Sequence, residues 1–190
     1  MAADVRNAPR LRLTHHRRNG HAVFRDTRVV LVASRFNESL TQALVEAASK
    51  TLVTHGVARA HLRTFWVPGA FELPVAAASV ATRLRPDAIV ALGCVIKGQT
   101  PQYAAIGHAT AEGLVQVSVT THIPVTFGVI IADSLAQAKA RAGLPAPRRR
   151  GEKRRVRQAR QAGNRGREAA LAALAMVDLL REFPQEHRLV

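Results

Sequence analysis

A chain of 190 residues with 47% apolar and 22% charged side chains is sized and composed for one globular domain, which excludes wholesale disorder and two full-sized cores. One cysteine excludes an intrachain disulfide and a cysteine-based zinc site and suits a reducing cytoplasm; the absence of any apolar run of membrane length, or of a signal-peptide core in the first 20 residues, predicts a soluble protein without a membrane partner. The net charge of +15 is unevenly placed: residues 1–26 carry six Arg against two Asp, residues 27–147 ten basic against six acidic side chains, residues 148–160 eight Arg or Lys against Glu152, and residues 161–190 four of each.

Residues 1–26 show no sustained period and read as a basic flexible arm whose last part adds an edge strand. RVVLVAS, from Arg28, is a short β-branched run expected of a strand buried on both faces. Glu38 to Thr54 places Leu40, Ala43, Leu44, Ala47, Ala48 and Leu52 at helical spacing, and His55-Gly56 ends it. LRTFWV (62–67) is a second strand, Pro68-Gly69 a turn, and Ala70 to Leu84 a helix in which Pro74 occupies the first turn, where no intrahelical donor is required. DAIVALGCVI (87–96) gives the third and most apolar strand, Tyr103 to Val119 a helix, His122 to Ile131 a fourth strand, and Ser134 to Ala142 a helix. LPAPRRRGEKRRVRQARQAG (144–163) breaks this alternation and is read as an Arg-rich insertion, partly helical between Glu152 and Gln161. Arg167 to Phe183 closes the chain as an amphipathic helix lined by Ala169, Ala170, Ala173, Leu174, Val177 and Leu180. The domain proper is 27–190.

Four alternating β and α units predict a parallel sheet, and ligands of such sheets bind beyond the carboxyl ends of the strands. The four predicted strands end in or run through Ser34-Arg35-Phe36-Asn37, Val67 to Glu72, Lys97-Gly98-Gln99-Thr100 and Phe127-Gly128. The third offers free backbone N–H groups, a hydroxyl and a cation, which an anionic phosphate needs. Each has a plainer reading: Phe36 covering the sheet end, Glu72 favouring a helix N-terminus through the dipole, Cys94 an inert buried thiol, and the Gly-Gln-Thr turn a backbone requirement. His15-His16 has no partnering ligand spacing, so no metal site is expected.

Read in order, ASRFNESL, VPGAFELPVAA, GCVIKGQTPQY, PVTFGVI, QAKARAG and GNRGREAALAALAM resemble lumazine synthases, the penultimate enzymes of riboflavin biosynthesis, over residues 28–183 apart from the insertion. The resemblance implies a flavodoxin-like three-layer α/β/α sandwich with a four-stranded parallel sheet. It implies a homo-pentamer, assembled in some members into an icosahedral capsid, with sites between neighbouring subunits. The implied transferase condenses 5-amino-6-(D-ribitylamino)uracil with 3,4-dihydroxy-2-butanone 4-phosphate and uses neither cofactor nor metal.

On the matching motifs, Phe36 would stack on the pyrimidine. Ala70 and Glu72 would contact the ribityl chain, with the backbone of Val95, Ile96 and Lys97 beside them. Gln99 and Thr100 would bind phosphate with Arg141 as the charged partner, and Phe127 would line the pocket. Arg165 stands where the family usually has Lys, keeping charge but not donor geometry. Gln102 and Ala104 stand where the family usually has His and Asp. Gln has no pKa near neutrality and cannot act as a general acid or base, so a slow enzyme is expected. The alternative is an impaired paralogue that binds a ligand or forms a shell. The insertion, with eight basic side chains between Arg148 and Arg160, suggests nonspecific nucleic-acid binding.

Overall fold

The structure is a computed structural model and describes residues 24–145 and 163–183. Its elements are β1 (Val29–Ser34), α1 (Glu38–Thr54), β2 (Leu62–Val67), α2 (Leu73–Leu84), β3 (Ala88–Ile96), α3 (Gln102–Thr121), β4 (Val125–Ala132), α4 (Leu135–Arg141) and α5 (Arg165–Glu182), with one-turn 3₁₀ segments at Arg59–His61 and Ala70–Glu72. The four strands form one parallel sheet in the order β2-β1-β3-β4. This is the three-layer, flavodoxin-like arrangement expected from the alternating pattern.

The period of two along each strand divides the core. Val29, Leu31 and Ala33 of β1 and Val90, Leu92 and Cys94 of β3 face α1 and α5, where they meet Leu44, Leu52, Ala170 and Leu174. Val30 and Val32, with Ile89 and Ala91, face α2 and α3 and meet Leu73, Ala77, Leu114 and Val117. Every residue of β1 is buried, whereas β2, an edge strand, is half-buried. A fully buried leucine such as Leu44 or Leu92 contributes about 1.5–3 kcal/mol over its exposed state.

Several boundaries differ from the expected ones for identifiable reasons. Phe24 to Asp26 form a turn rather than an edge strand, and Phe24 is buried in the core. The folded unit therefore reaches back into the segment read as an arm, whose first 23 residues lie outside the described ones. The fourth strand begins at Val125, not His122, because His122 caps α3 with φ 56° and cannot extend a strand. The Ala70–Glu72 turn is 3₁₀, so α2 starts at Leu73 with Pro74 in its first turn as expected.

Leu144, the first residue of the segment read as an insertion (144–163), belongs to the folded unit. At the end of α4, Gly143 (φ 72°) takes the left-handed conformation. Its N–H donates to Ala140 C=O at 3.3 Å, while Leu144 N–H reaches back to Lys139 C=O at 2.9 Å. These are the two bonds of a Schellman stop, and Leu144 packs on the core. Residues 146–162, including the expected helical stretch from Glu152 to Gln161 and the basic run, lie outside the described residues.

Candidate active site

In the strand order β2-β1-β3-β4 the connections leave β1 toward opposite sides, so a crevice opens between the carboxyl ends of β1 and β3. The loop leaving β1 is stitched in place there. Arg35 N–H donates to Val67 C=O at 2.8 Å and Phe36 N–H to Pro68 C=O at 3.0 Å. Asn37, left-handed at φ 60°, sends its side-chain N–H to Cys94 C=O at 2.9 Å. These bonds tie the first loop to the ends of β2 and β3 and leave the Phe36 ring 71% exposed. Phe36 therefore does not cover the sheet end; it offers a bare aromatic face.

Phe36 borders a cleft of about 430 Å³ whose other walls include Ala70, Glu72, Val95, Ile96, Thr100 and Gln102. Seven of the predicted site residues are thus brought together. Glu72 accepts the Gly69 N–H at 2.8 Å, so the plainer reading of Glu72 as a helix-start carboxylate holds alongside its place in the cleft. The Thr110 hydroxyl stands between two carbonyls that share its one proton, Ile106 C=O of its own helix at 2.7 Å and Ala70 C=O of this turn at 3.1 Å. Lys97 and Gln99 are exposed and do not line the cleft; Lys97 lies with Nζ 6.0 Å from the centre of the Tyr103 ring.

Gly69, Phe71, Gly98, Tyr103 and Ile106 also line the cleft and were not among the predicted site residues. Gln102, Tyr103 and Ile106 share the first turns of α3, and their one-turn spacing was the signal available for them. Cys94 is part of this wall but only 1% exposed, and burial pushes its thiol up to about 11, so it is an inert thiol near neutrality. Among the described residues no group of three or more His, Cys, Asp or Glu is placed to hold a metal ion.

The remaining predicted residues lie elsewhere. Phe127, Arg141 and Arg165 line a second cleft of about 270 Å³ with Val129, Ile130 and Ile131 of β4, and the two clefts share no residue. α3 packs beside Ile131 so closely that a Cβ on Gly107 would come within 2.6 Å of its Cδ1. Arg141 ends α4, where the helix dipole favours a cation. Arg165 opens α5 and pairs with Glu168 at 3.3 Å.

A family model described as 6,7-dimethyl-8-ribityllumazine synthase matches residues 26–181. The chain belongs to that family. Its members are transferases of riboflavin biosynthesis. A curated 6,7-dimethyl-8-ribityllumazine synthase from Gemmatimonas aurantiaca is 48% identical over 116 residues, covering 61% of this chain and 71% of that protein. Among solved structures, a GDP-L-fucose synthetase from Naegleria fowleri aligns over 84% of this chain and 44% of its own at 11% identity, with a TM-score of 0.36, too low to bear on fold or function. No described helix is long and apolar enough to cross a membrane.

Proposed function

We propose that this lumazine synthase family member condenses 5-amino-6-(D-ribitylamino)uracil with 3,4-dihydroxy-2-butanone 4-phosphate in the cytoplasm, releasing phosphate and water. The observation that carries the reading is the gathering of Phe36, Ala70, Glu72, Thr100 and Gln102 in one cleft at the β1/β3 crevice. Phe36 stacks on the pyrimidine, and Ala70 and Glu72 meet the ribityl chain beside the backbone of Val95, Ile96 and Lys97. Thr100, on the cleft wall, binds phosphate through its hydroxyl, with the Gln99 backbone N–H beside it although the Gln99 side chain lies outside the cleft. Holding amine and ketone together supplies up to about 7–11 kcal/mol of the barrier reduction in favourable cases. Gln102 orients a substrate by hydrogen bonding but moves no proton, so turnover is slow. Retention of the ring-facing and phosphate-facing residues favours this enzyme over a shell protein without turnover.

The family implies small-molecule substrates and an oligomeric assembly. We infer that Phe127, Arg141 and Arg165 complete the site of a neighbouring copy in a pentamer or larger shell, a reading supported by their lining a separate cleft of the same chain. The test is complementation. Phe36→Ala and Arg141→Ala should each be nearly inactive alone, and mixed assemblies, which contain some sites with both native residues, should regain lumazine formation measured by its absorbance. Mixed assemblies no more active than either parent would contradict the shared site. Inactivity of the unmutated protein with both substrates would remove the enzyme reading itself. The eight basic side chains between Arg148 and Arg160 support an additional sequence-indifferent affinity for nucleic acid.

A further inference from the structure

The charge of the folded body is not spread over it. Arg28 enters β1, Arg59 and Arg63 stand at the start of β2, and Arg83 and Arg85 precede β3. Asp87 is the one carboxylate of residues 27–147 at that end of the sheet, so the amino end holds five of their ten basic and one of their six acidic side chains. The whole excess of four charges of this span sits there and the rest of the span balances; the end of α5, held beside β1 by the Arg181 bond to Thr27, adds Arg181, Asp178 and Glu182 and leaves an excess of three. Arg25 and Asp26, in the turn before β1, extend the same surface without changing its charge.

None of Arg25, Arg28, Arg59, Arg63, Arg83 and Arg85 forms an ion pair among the described residues; the two pairs present there, Arg35 with Glu38 and Arg165 with Glu168, involve other residues. Arg28 donates to the Arg85 carbonyl at 2.8 Å, a neutral acceptor that orients the guanidinium and leaves its charge uncompensated. Arg63 lies 5.2 Å over the Phe65 ring. Asp87 takes the Arg28 backbone N–H at 2.7 Å.

The surface is recessed. A groove of about 1190 Å³ runs between the ends of α2 and α3, with Arg28, Arg83, Arg85 and His122 on its walls and Asp87 as the one carboxylate among them. Through Arg28, Leu84 and Pro86 it adjoins a notch of about 220 Å³ that adds His61 and Arg63. Arg85 (φ 44°) and His122 (φ 56°) hold the left-handed conformation at the two helix ends, where glycine is the less strained choice. Both strained positions carry side chains that line the groove.

We propose that the amino end of the sheet is a docking surface for the sugar-phosphate backbone of a nucleic acid, separate from the cleft at the carboxyl end and from the basic insertion. Guanidinium forks match phosphate oxygens in bidentate geometry. A recessed groove admits a phosphodiester strand, whereas a flat bilayer surface meets only its rim. The chain's own basic segments, residues 1–26 and 148–160, carry the same sign and are repelled. No Phe, Tyr or Trp lines the groove among the described residues, and His122 is its one ring, so the contact reads charge far more than sequence. The proposal does not depend on the catalytic reading.

The experiment follows binding of a fluorescein-labelled oligothymidylate by anisotropy over a salt series, with the full chain and with a combined Arg59→Gln, Arg63→Gln, Arg83→Gln, Arg85→Gln variant. Each phosphate contact contributes about 0.7 to the log–log salt slope for a single strand, so the variant should lose about 3 from the slope and at least about tenfold in low-salt affinity. A full chain with residues 146–161 replaced by a short neutral linker should keep the part of the slope that the four substitutions remove. If the combined variant does not fold, Arg59→Gln and Arg83→Gln singly should each lose about 0.7. An unchanged slope in these variants, loss of all binding on replacing the insertion alone, or tighter binding to phosphatidylserine vesicles than to the oligonucleotide would overturn the proposal. Lumazine formation should be the same in the combined variant and the unmutated chain, so a failure of catalysis and a failure of docking are read separately.

Discussion

The side-chain amide of Asn164 donates to the backbone carbonyl of Ala142 at 2.7 Å, bridging 22 positions of sequence. Its oxygen accepts the Arg167 N–H at 3.1 Å, so one residue closes the end of α4 and caps the start of α5. Gly143 lies against it: a Cβ there would stand 2.9 Å from the Asn164 amide nitrogen. The chain therefore leaves and re-enters the fold at one place, whatever length of sequence lies between.

Two outcomes are expected from this bridge. Asn164→Ala should destabilise the fold by about 1–2 kcal/mol through the lost cap and the lost bond to Ala142, seen as a lower midpoint in urea. Replacing residues 146–161 by a short neutral linker should leave the unfolding free energy from the same urea titration within about 0.5 kcal/mol. A large loss on replacement would mean that the insertion contributes to the core.

Gln102→His should raise turnover by up to about 100-fold and introduce a pH dependence near neutrality, since imidazole is the side chain that titrates there unaided. KM for the ribitylaminouracil should change little. Steady-state kinetics across pH 5.5–8.5 reads both, and an unaltered kcat would show that proton transfer at this position is not limiting.

Cys94 gives a pH dependence of stability whose sign is fixed by burial. Its thiol is raised from 9.0 to about 11 in the fold, so the native state holds its proton more tightly than the unfolded chain. The contribution is fully present below about pH 9 and is lost as pH rises toward about 11, by at most about 3 kcal/mol. Urea unfolding at pH 8 and pH 10.5 should show a fall that is smaller in Cys94→Ala. Iodoacetamide should label the native thiol only after unfolding.

Ser34 and Thr41 place buried hydroxyls without a hydrogen-bond partner. Ser34 is fully buried at the end of β1, and a Cβ on Gly93 would come within 2.9 Å of its Oγ. Ser34→Ala removes an uncompensated polar atom and should leave stability unchanged or raise it by about 1 kcal/mol; thermal denaturation distinguishes this from a loss, which would indicate an unseen partner.

Much of the architecture was legible because period and composition agree along it. β1, α1 and β2 stand where β-branched runs and the Leu40 to Leu52 stripe put them. On α1, however, Thr41, Val45 and Thr51 are also buried. The helix packs against both the sheet and α5, so its covered face is wider than a stripe drawn from Leu and Ala alone. The end of α3 was misread because Ile123 and Pro124 continue an apolar, strand-like run past His122, whose left-handed φ no composition reveals. Phe36, Glu72 and Thr100 were legible as strand-end residues. The separation of Phe127, Arg141 and Arg165 into a second cleft was not, because it depends on the side of α3 to which β4 presents its residues.

β3 has nine residues, and at about 3.3 Å per residue it sets roughly 26 Å between the two ends of the sheet. The screening distance at physiological ionic strength is about 8 Å. The arginines before β1, β2 and β3 are thus electrically invisible to the β1/β3 cleft in the cell, and either end can gain or lose charge without retuning the other. In dilute buffer, near 0.01 M, that distance grows to about 30 Å. The two ends then sense each other, and an anionic substrate is drawn toward the whole molecule rather than toward its cleft.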